Sequence, residues 1–359
     1  MPIFFPNDQI LQMGKILRGN TKVARIYRGA TLIWPIVFRF FVNSQTFGGT
    51  HKIAIADVPQ LNDIDGVIVS GLASNSPSLG SLWRSSVNST FITQVRTNPS
   101  FRDVMFTGVI SGFGFGLTLL WIAVGGNGTI LSSSNGTSWT SHNSNTSVHL
   151  NGIAMNRNGG IVLVVGNDRR IVRNPIPGSL AGTWTRIGDV SSGQHLNDVV
   201  FADFGSTGRF VAVGLNRTII YSDVNVTFFA TILPLVQLPS DTNFVSVDFG
   251  DGEIRALSSD GTIVRSTNAI DWTVFGNVNA PNILSYNVIK FIDGVWYVGA
   301  RPSNPVFESL FYEIEGQWYS IAVFNPDNIR LNQDVTDIIG FRRGILIAGS
   351  GTIVARNFD

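Results

Sequence analysis

Four aspartates sit at matching places in the chain: Asp63, Asp103, Asp198 and Asp337 each stand just before a short β-branched run. Carboxylates repeated around a ring could gather a cation. Short polar side chains also cap the turn that leads into a strand, and the fourfold recurrence favours capping. The other residues able to do chemistry form no constellation. His142 and His149 share a loop, but no acidic or thiol partner repeats beside them, and His51 and His195 stand apart. Metal sites need clustered ligands at fixed spacing, so all four read as surface-loop histidines. The chain has no cysteine, which removes disulfides, thiolate metal sites and thiol catalysis. Glutamate occurs only at Glu253, Glu308, Glu313 and Glu315, whereas glycoside hydrolysis needs two placed carboxylates.

The glycine-rich string Gly112-Phe113-Gly114-Phe115-Gly116 raises the question of a phosphate loop. Such a loop leaves a strand and opens a helix. Here Leu117 to Val124 reads as a strand, and the chain has no Gly-Lys-Ser/Thr motif. The string therefore reads as an apolar hairpin. These observations predict no catalytic residue, no cofactor and no metal, and a chain that is not an enzyme.

The elements that position these residues follow from composition and repeats. Of 359 residues, 44% are hydrophobic and only 14% charged, with a formal net charge of +1. No basic stripe stands out, so nucleic acid is not an expected partner. No apolar run reaches the roughly 20 residues that span a bilayer. The nearest, Phe113 to Val124, is broken by glycine, so no membrane insertion is expected. The opening residues Met1 to Pro6 lack a basic segment followed by an apolar one, so no signal peptide is expected.

One unit is clear: Leu196 to Phe201, Phe210 to Gly214, Thr218 to Ser222 and Phe228 to Ile232, punctuated by Gly, Asn and Asp. It reads as four short antiparallel strands. Its first strand recurs around Ile64, Val104, Ile153, Val199, Val247, Ile289 and Ile338, at a spacing of roughly 40–49 residues that suits propeller blades. The fold expected is all-β, a seven-bladed β-propeller of four-stranded antiparallel blades over residues 36–359. The last unit ends after three strands, and Ile36 to Val42 is a strand with no other home. We expect it to complete the last blade and remove an exposed edge.

The turn Ser133-Ser134-Asn135-Gly136-Thr137-Ser138-Trp139 matches Ser266-Thr267-Asn268-Ala269-Ile270-Asp271-Trp272. It resembles the Asp-box, or BNR repeat, of sialidase-like and photosystem-assembly-factor-like propellers. The resemblance implies that the Asn and Ser bond the turn backbone and that the aromatic packs between blades, on the outer rim. Sialidases also carry an arginine triad, a Tyr–Glu pair and an Arg-Ile-Pro-type motif, and no such motif stands near the first unit here.

Residues 1–35 lie outside the repeat. Lys22 to Arg28 and Thr31 to Pro35 read as a small hairpin, and a lone hairpin is marginal. The string Gly19, Val23, Ile26-Tyr27, Gly29, Leu32-Ile33-Trp34-Pro35 resembles a short element of bacteriophage tail-associated proteins that precedes a variable distal domain. That resemblance implies a docking arm, with Val23, Ile26, Tyr27, Leu32 and Trp34 as contact residues. Phe113 and Phe115 add an apolar tip of the kind that marks interfaces. The function expected is a non-enzymatic structural or recognition protein of a phage virion, associated with tail, baseplate or fibre. The location expected is the virion, with synthesis in the host cytoplasm. Its partners would be other virion proteins, with a host-surface glycan or protein as a further contact. The alternatives are a glycan-binding or hydrolytic propeller and a cellular assembly factor.

Overall fold

Short β-branched and aromatic runs can hide both faces only between two other sheets. The computed structural model of the chain describes residues 3–5, 26–28, 31–34, 37–41, 48–56, 66–73, 76–86, 93–97, 101–106, 110–112, 115–118, 121–156, 160–174, 184–187, 194–205, 207–222, 229–231, 237–304, 306–321, 334–341, 344–349 and 352–357. The runs form seven four-stranded sheets. Sheet 1 holds Gly48–Ala56, Gly66–Ala73, Ser76–Ser86 and Thr93–Thr97. Sheet 2 holds Phe101–Phe106, Trp121–Gly125, Ile130–Ser133 and Thr140–His142, and sheet 3 holds Leu150–Asn156, Ile161–Gly166, Ile171–Asn174 and Thr185–Ile187. Sheet 4 follows with Leu196–Asp203, Gly208–Gly214, Ile219–Ser222 and Phe229–Thr231, and sheet 5 with Phe244–Gly250, Glu253–Ser258, Thr262–Ser266 and Thr273–Asn277. Sheet 6 contains Ile283–Ile292, Val295–Pro302, Leu310–Ile314 and Gln317–Ile321.

Sheet 7 is built from both ends of the sequence. Val335–Phe341, Gly344–Gly349 and Thr352–Asn357 supply three strands, and Val37–Phe41 supplies the fourth. The pairing is antiparallel, with Ile353 opposite Phe41 and Asn357 opposite Val37. This is the closure expected from the incomplete last repeat. First strands of successive sheets pack on one another in order, and that of sheet 7 packs back on that of sheet 1. The cycle is a closed β-propeller with first strands innermost, and seven sheets fit the expected blade count. In sheet 1 the inner strand is Gly48–Ala56, so Ile53, and not Ile64, holds the place of Val104.

Burial follows the seams between sheets. Trp121 and Ala123 join Leu82 and Ala54 between sheets 1 and 2. Ile122 and Val124, one residue out of step, join Val162 and Val164 between sheets 2 and 3. The period of two along a strand thus serves two seams at once. The same division recurs at Val211 and Val213 against Ala212 in sheet 4.

The turns between third and fourth strands are held from within. In sheet 2, Ser133 Oγ accepts the Gly136 N–H at 2.8 Å, and Asn135 Oδ1 accepts those of Thr137 and Ser138 at 2.9 Å. In sheet 5, Asn268 Oδ1 accepts Ile270 and Asp271 N–H at 2.8 Å. Each closing tryptophan donates its indole N–H back to the turn, Trp139 to the Gly136 carbonyl and Trp272 to that of Ala269.

Among the described residues, two smaller sheets lie outside the ring's seven. Ile110–Gly112 and Phe115–Thr118 form an antiparallel hairpin between the first two strands of sheet 2. Near the start, Ile26–Arg28 and Thr31–Trp34 pair antiparallel as the expected hairpin, and Ile3–Phe5 joins Ile26–Arg28 in parallel. This three-stranded sheet extends none of the seven.

Candidate functional site

Six inner strands carry a bulge at the same point. Register shifts fall between Phe101 and Asp103, Leu150 and Gly152, Leu196 and Asp198, Phe244 and Ser246, Tyr286 and Val288, and Val335 and Asp337. In sheet 1 a wider irregularity ends at Lys52. A bulge bends the strand and re-aims a side chain. Here it sets one position per sheet at the inner ring, occupied by Lys52, Asp103, Gly152, Asp198, Ser246, Val288 and Asp337. Two residues further on, on the same face, come Asp248 in sheet 5 and Lys290 in sheet 6.

The carboxylates bridge neighbouring sheets. Asp103 Oδ1 accepts the Val104 N–H at 2.9 Å, and its Oδ2 accepts that of Ile153, in the next sheet, at 3.0 Å. Asp198 repeats the pattern. Its Oδ1 takes Val199 N–H at 2.9 Å, and its Oδ2 takes the Ser246 hydroxyl at 2.9 Å and Val247 N–H at 3.0 Å. Asp248 Oδ2 takes Phe291 N–H at 2.8 Å. Lys52 Nζ lies 3.8 Å from Asp337 Oδ1. Of the aspartates expected to cap, Asp103 and Asp198 bond backbone N–H groups along the strand and across the seam.

Like charges close together in a low-dielectric interior disturb one another's titration. Burial first, and then the Asp198 and Asp337 carboxylates, push Asp103 up to about 7, against the pull of Lys52 and Lys290. Burial also raises Asp248, against Lys290 and the N–H groups of Phe291 and Phe249. For Lys290, burial opposes the charge, but the surrounding carboxylates, Asp248 foremost, hold it above its ordinary range. Lys52 is raised in the same way, with Asp337 foremost. The arrangement sets Asp103, pushed up to about 7, among further carboxylates and two lysines, so that it can take up or release a proton near neutral pH. Among the described residues, no group of His, Asp or Glu is placed to hold a metal ion.

Two histidines have a definite task. His149 Nδ1 faces the Asn127 N–H of sheet 2 at 3.4 Å, while its carbonyl accepts Asn167 N–H of sheet 3 at 2.8 Å. His195 does the same one sheet on, taking Asp168 N–H at 3.1 Å and Leu215 N–H at 3.0 Å. Asn243 fills the next place, with Oδ1 accepting Asn216 N–H at 3.0 Å. Both histidines lie in loops, as expected, and their contacts are exposed; what the sequence did not show is that each joins two sheets. His142 Nε2 bonds the Ser132 hydroxyl at 2.7 Å, and burial lowers its pKa.

Of the expected docking residues, Ile26 pairs with Trp34 and Tyr27 with Leu32 across the small N-terminal sheet, so register gathers these four. Phe115 begins the second strand of the inserted hairpin. Val23, Phe113 and Asp63 lie outside the described residues. Lys52, Asp248 and Lys290 were missed by sequence reasoning. Asp248 and Lys290 stand two residues past the recurring position, and Lys52 holds that position with a different residue type.

No family model and no curated protein sequence matches the chain. Solved structures do resemble it. A catalytically inactive variant of virginiamycin B lyase from Staphylococcus aureus, solved with quinupristin, superposes with a TM-score of 0.63 at 12% identity, covering 90% of this chain and 99% of that one. YCF48 bound to a D1 peptide superposes with a TM-score of 0.60 at 14% identity, covering 90% of this chain and 97% of that one. At these identities the likeness shows the fold, a β-propeller.

The lyase overturns one expectation. A chain without enzymatic activity was inferred from the lack of linear motifs, yet an enzyme is built on this architecture over nearly its whole length. The physical reason is that a ring brings together residues far apart in sequence. Lys52, Asp103, Asp198, Asp248, Lys290 and Asp337 are coupled here although no motif links them.

Proposed function

We propose that the chain is a recognition component of a bacteriophage particle, in which the propeller presents a contact surface and the N-terminal sheet attaches it. The observation that carries this reading is the position of that sheet. Its last strand ends at Trp34, and the closing strand of the ring starts at Val37. The arm therefore joins the ring through the strand that completes it, and extends none of the seven sheets. The pairing of Ile26 with Trp34 and of Tyr27 with Leu32 gathers the aromatic and aliphatic residues that anchor interfaces.

The partners under this reading are other virion proteins, with a host-surface glycan or protein as a further contact. The arm string resembles that of tail-associated proteins, and the bonds that the Ser and Asn of the sheet 2 and sheet 5 turns make to their own turn backbone support kinship with Asp-box propellers. A neighbour solved with a bound peptide, YCF48, supports protein recognition by this architecture. Density-gradient sedimentation of native lysate tests the proposal. The full chain should travel with a large particle, and a chain lacking residues 1–35 should stay near the top. Both chains at the position of a free 39.0 kDa monomer would remove the reading.

One observation favours a second reading, that of an enzyme. Asp103, pushed to about 7 beside Lys52, is tuned as a general acid or base needs to be, and a structural neighbour is a lyase. Mass spectrometry of quinupristin incubated with the chain and with Asp103→Asn decides this. Cleavage by the wild type that is lost in the variant supports it, and no cleavage by either sets it aside.

A further inference from the structure

A groove of about 770 Å³ opens on the outer part of sheet 5. One wall is the segment 237–239 that leads into the sheet, and the other is its two outer strands, Thr262–Ser266 and Thr273–Asn277. The size suits a small organic ligand, for which pockets run to roughly 300–1,000 Å³. We propose that this groove binds a neutral oligosaccharide.

The lining chemistry selects that class. Leu238, Pro239 and Val274 give an apolar floor, and Val274 is 41% exposed. Trp272 lies beneath, its indole N–H already bonded to the Ala269 carbonyl at 3.1 Å, so its ring offers carbon rather than a donor. Sugar rings present C–H faces to such a floor and hydroxyls to its rim. The rim supplies partners for hydroxyls: a carboxylate at Asp260, amides at Gln237 and Asn277, and hydroxyls at Thr262 and Thr273. Gln237 and Thr273 can both accept and donate and Asp260 can accept, whereas the Asn277 amide and the Thr262 hydroxyl already bond each other and Asp260.

Charge narrows the choice. Burial would raise Asp260, but bonds from the Ser258 hydroxyl and from Thr262 hold its carboxyl below the usual range. None of the described residues lining the groove is basic. An acidic sugar, a phosphate or a nucleotide would meet the negative charge of Asp260 in the lining itself, while the neighbouring cation, Arg217, is engaged with the Leu238 carbonyl at 3.0 Å. A peptide adding as a further strand is disfavoured by backbone geometry. Gly276 has φ +157°, and the register shifts opposite it between Ile263 and Val264. Such a bulge twists the edge and interrupts regular pairing. The Asn277 amide also folds back on the Asp260 carbonyl at 3.3 Å.

The proposal is independent of any particle role, since it concerns the isolated chain. The full-length protein is applied to an array of neutral and sialylated oligosaccharides. Retention of neutral members with loss of the sialylated ones is expected. Val274→Arg, which fills the groove from an exposed position, should weaken retention at least tenfold. Val306→Arg, at a 59% exposed site outside the groove, should leave it unchanged. Should Val274→Arg fold poorly by circular dichroism, Thr273→Lys on the same exposed strand serves instead. The proposal is overturned if no neutral glycan is retained, if sialylated glycans are held as strongly, or if the groove variant binds like wild type.

Discussion

Asp198 accepts three donors and is almost fully buried, so its loss has a definite cost. Without it, Val199 N–H, Ser246 Oγ and Val247 N–H would face each other across the seam of sheets 4 and 5. Orphaned buried donors cost about 1–3 kcal/mol each, not additively. Asp198→Ala should therefore lower stability by about 3 kcal/mol, read from urea unfolding. Asp103 gives a pH signature. The folded chain takes up its proton near pH 7, whereas the ordinary value is 3.8. Between those values the folded state binds more protons, so stability increases as pH falls through 7 and the contribution is lost as pH rises. From pH 8 to pH 6 the gain should be about 1 kcal/mol relative to Asp103→Asn. An identical pH dependence in both chains would mean that Asp103 does not titrate there. At this scale the sequence was partly legible. Asp103, Asp198 and Asp337 announce themselves by recurrence. Lys52 holds the same place with the opposite charge, and Asp248 and Lys290 stand two residues further along, so no repeated residue type marks them.

Strands and their turns were the most readable elements, because the second strands of sheets 2 to 6 are largely buried on both faces. Runs such as Trp121–Gly125 and Ile161–Gly166 are continuously apolar for that reason. The bonds that join one sheet to the next were not readable. His149 reaches back to Asn127 and His195 to Asp168, and nothing in the spacing of a lone histidine names a backbone N–H as its partner. The inner bulges add a second row of such bonds. Asn151 donates to the Leu196 carbonyl at 2.8 Å, Asn197 to that of Phe244 at 2.8 Å and Asn287 to that of Val335 at 3.0 Å. Since Asn243 already performs the task of His195 one sheet on, His195→Asn should keep the melting temperature near wild type. His195→Ala should remove about 1 kcal/mol. Equal melting of the two variants would show that the Nδ1 contact contributes nothing.

At the scale of the whole molecule, the incomplete last repeat was the informative clue, and it identified the strand that closes the ring. Removing residues 1–35 should leave the melting transition cooperative and close to that of the intact chain. Removing residues 1–41 takes away the partner of Thr352–Asn357. That truncation should lower the transition by 10 °C or more, on the order expected for losing several kcal/mol, and should promote association through the bared edge. If both truncations melt alike, the fourth strand of sheet 7 is dispensable.

The same seam sets an order of events during synthesis. Val37–Phe41 leaves the ribosome well before its partner strand, Thr352–Asn357, which is made about 310 residues later. At roughly 5–20 residues per second, the early strand waits on the order of tens of seconds with its hydrogen-bonding groups unmatched. For that interval the nascent chain is an open arc with a sticky apolar ribbon, Val37-Phe38-Arg39-Phe40-Phe41, at one end. The lone arginine in that ribbon is then its one charged brake on pairing with a neighbouring nascent chain.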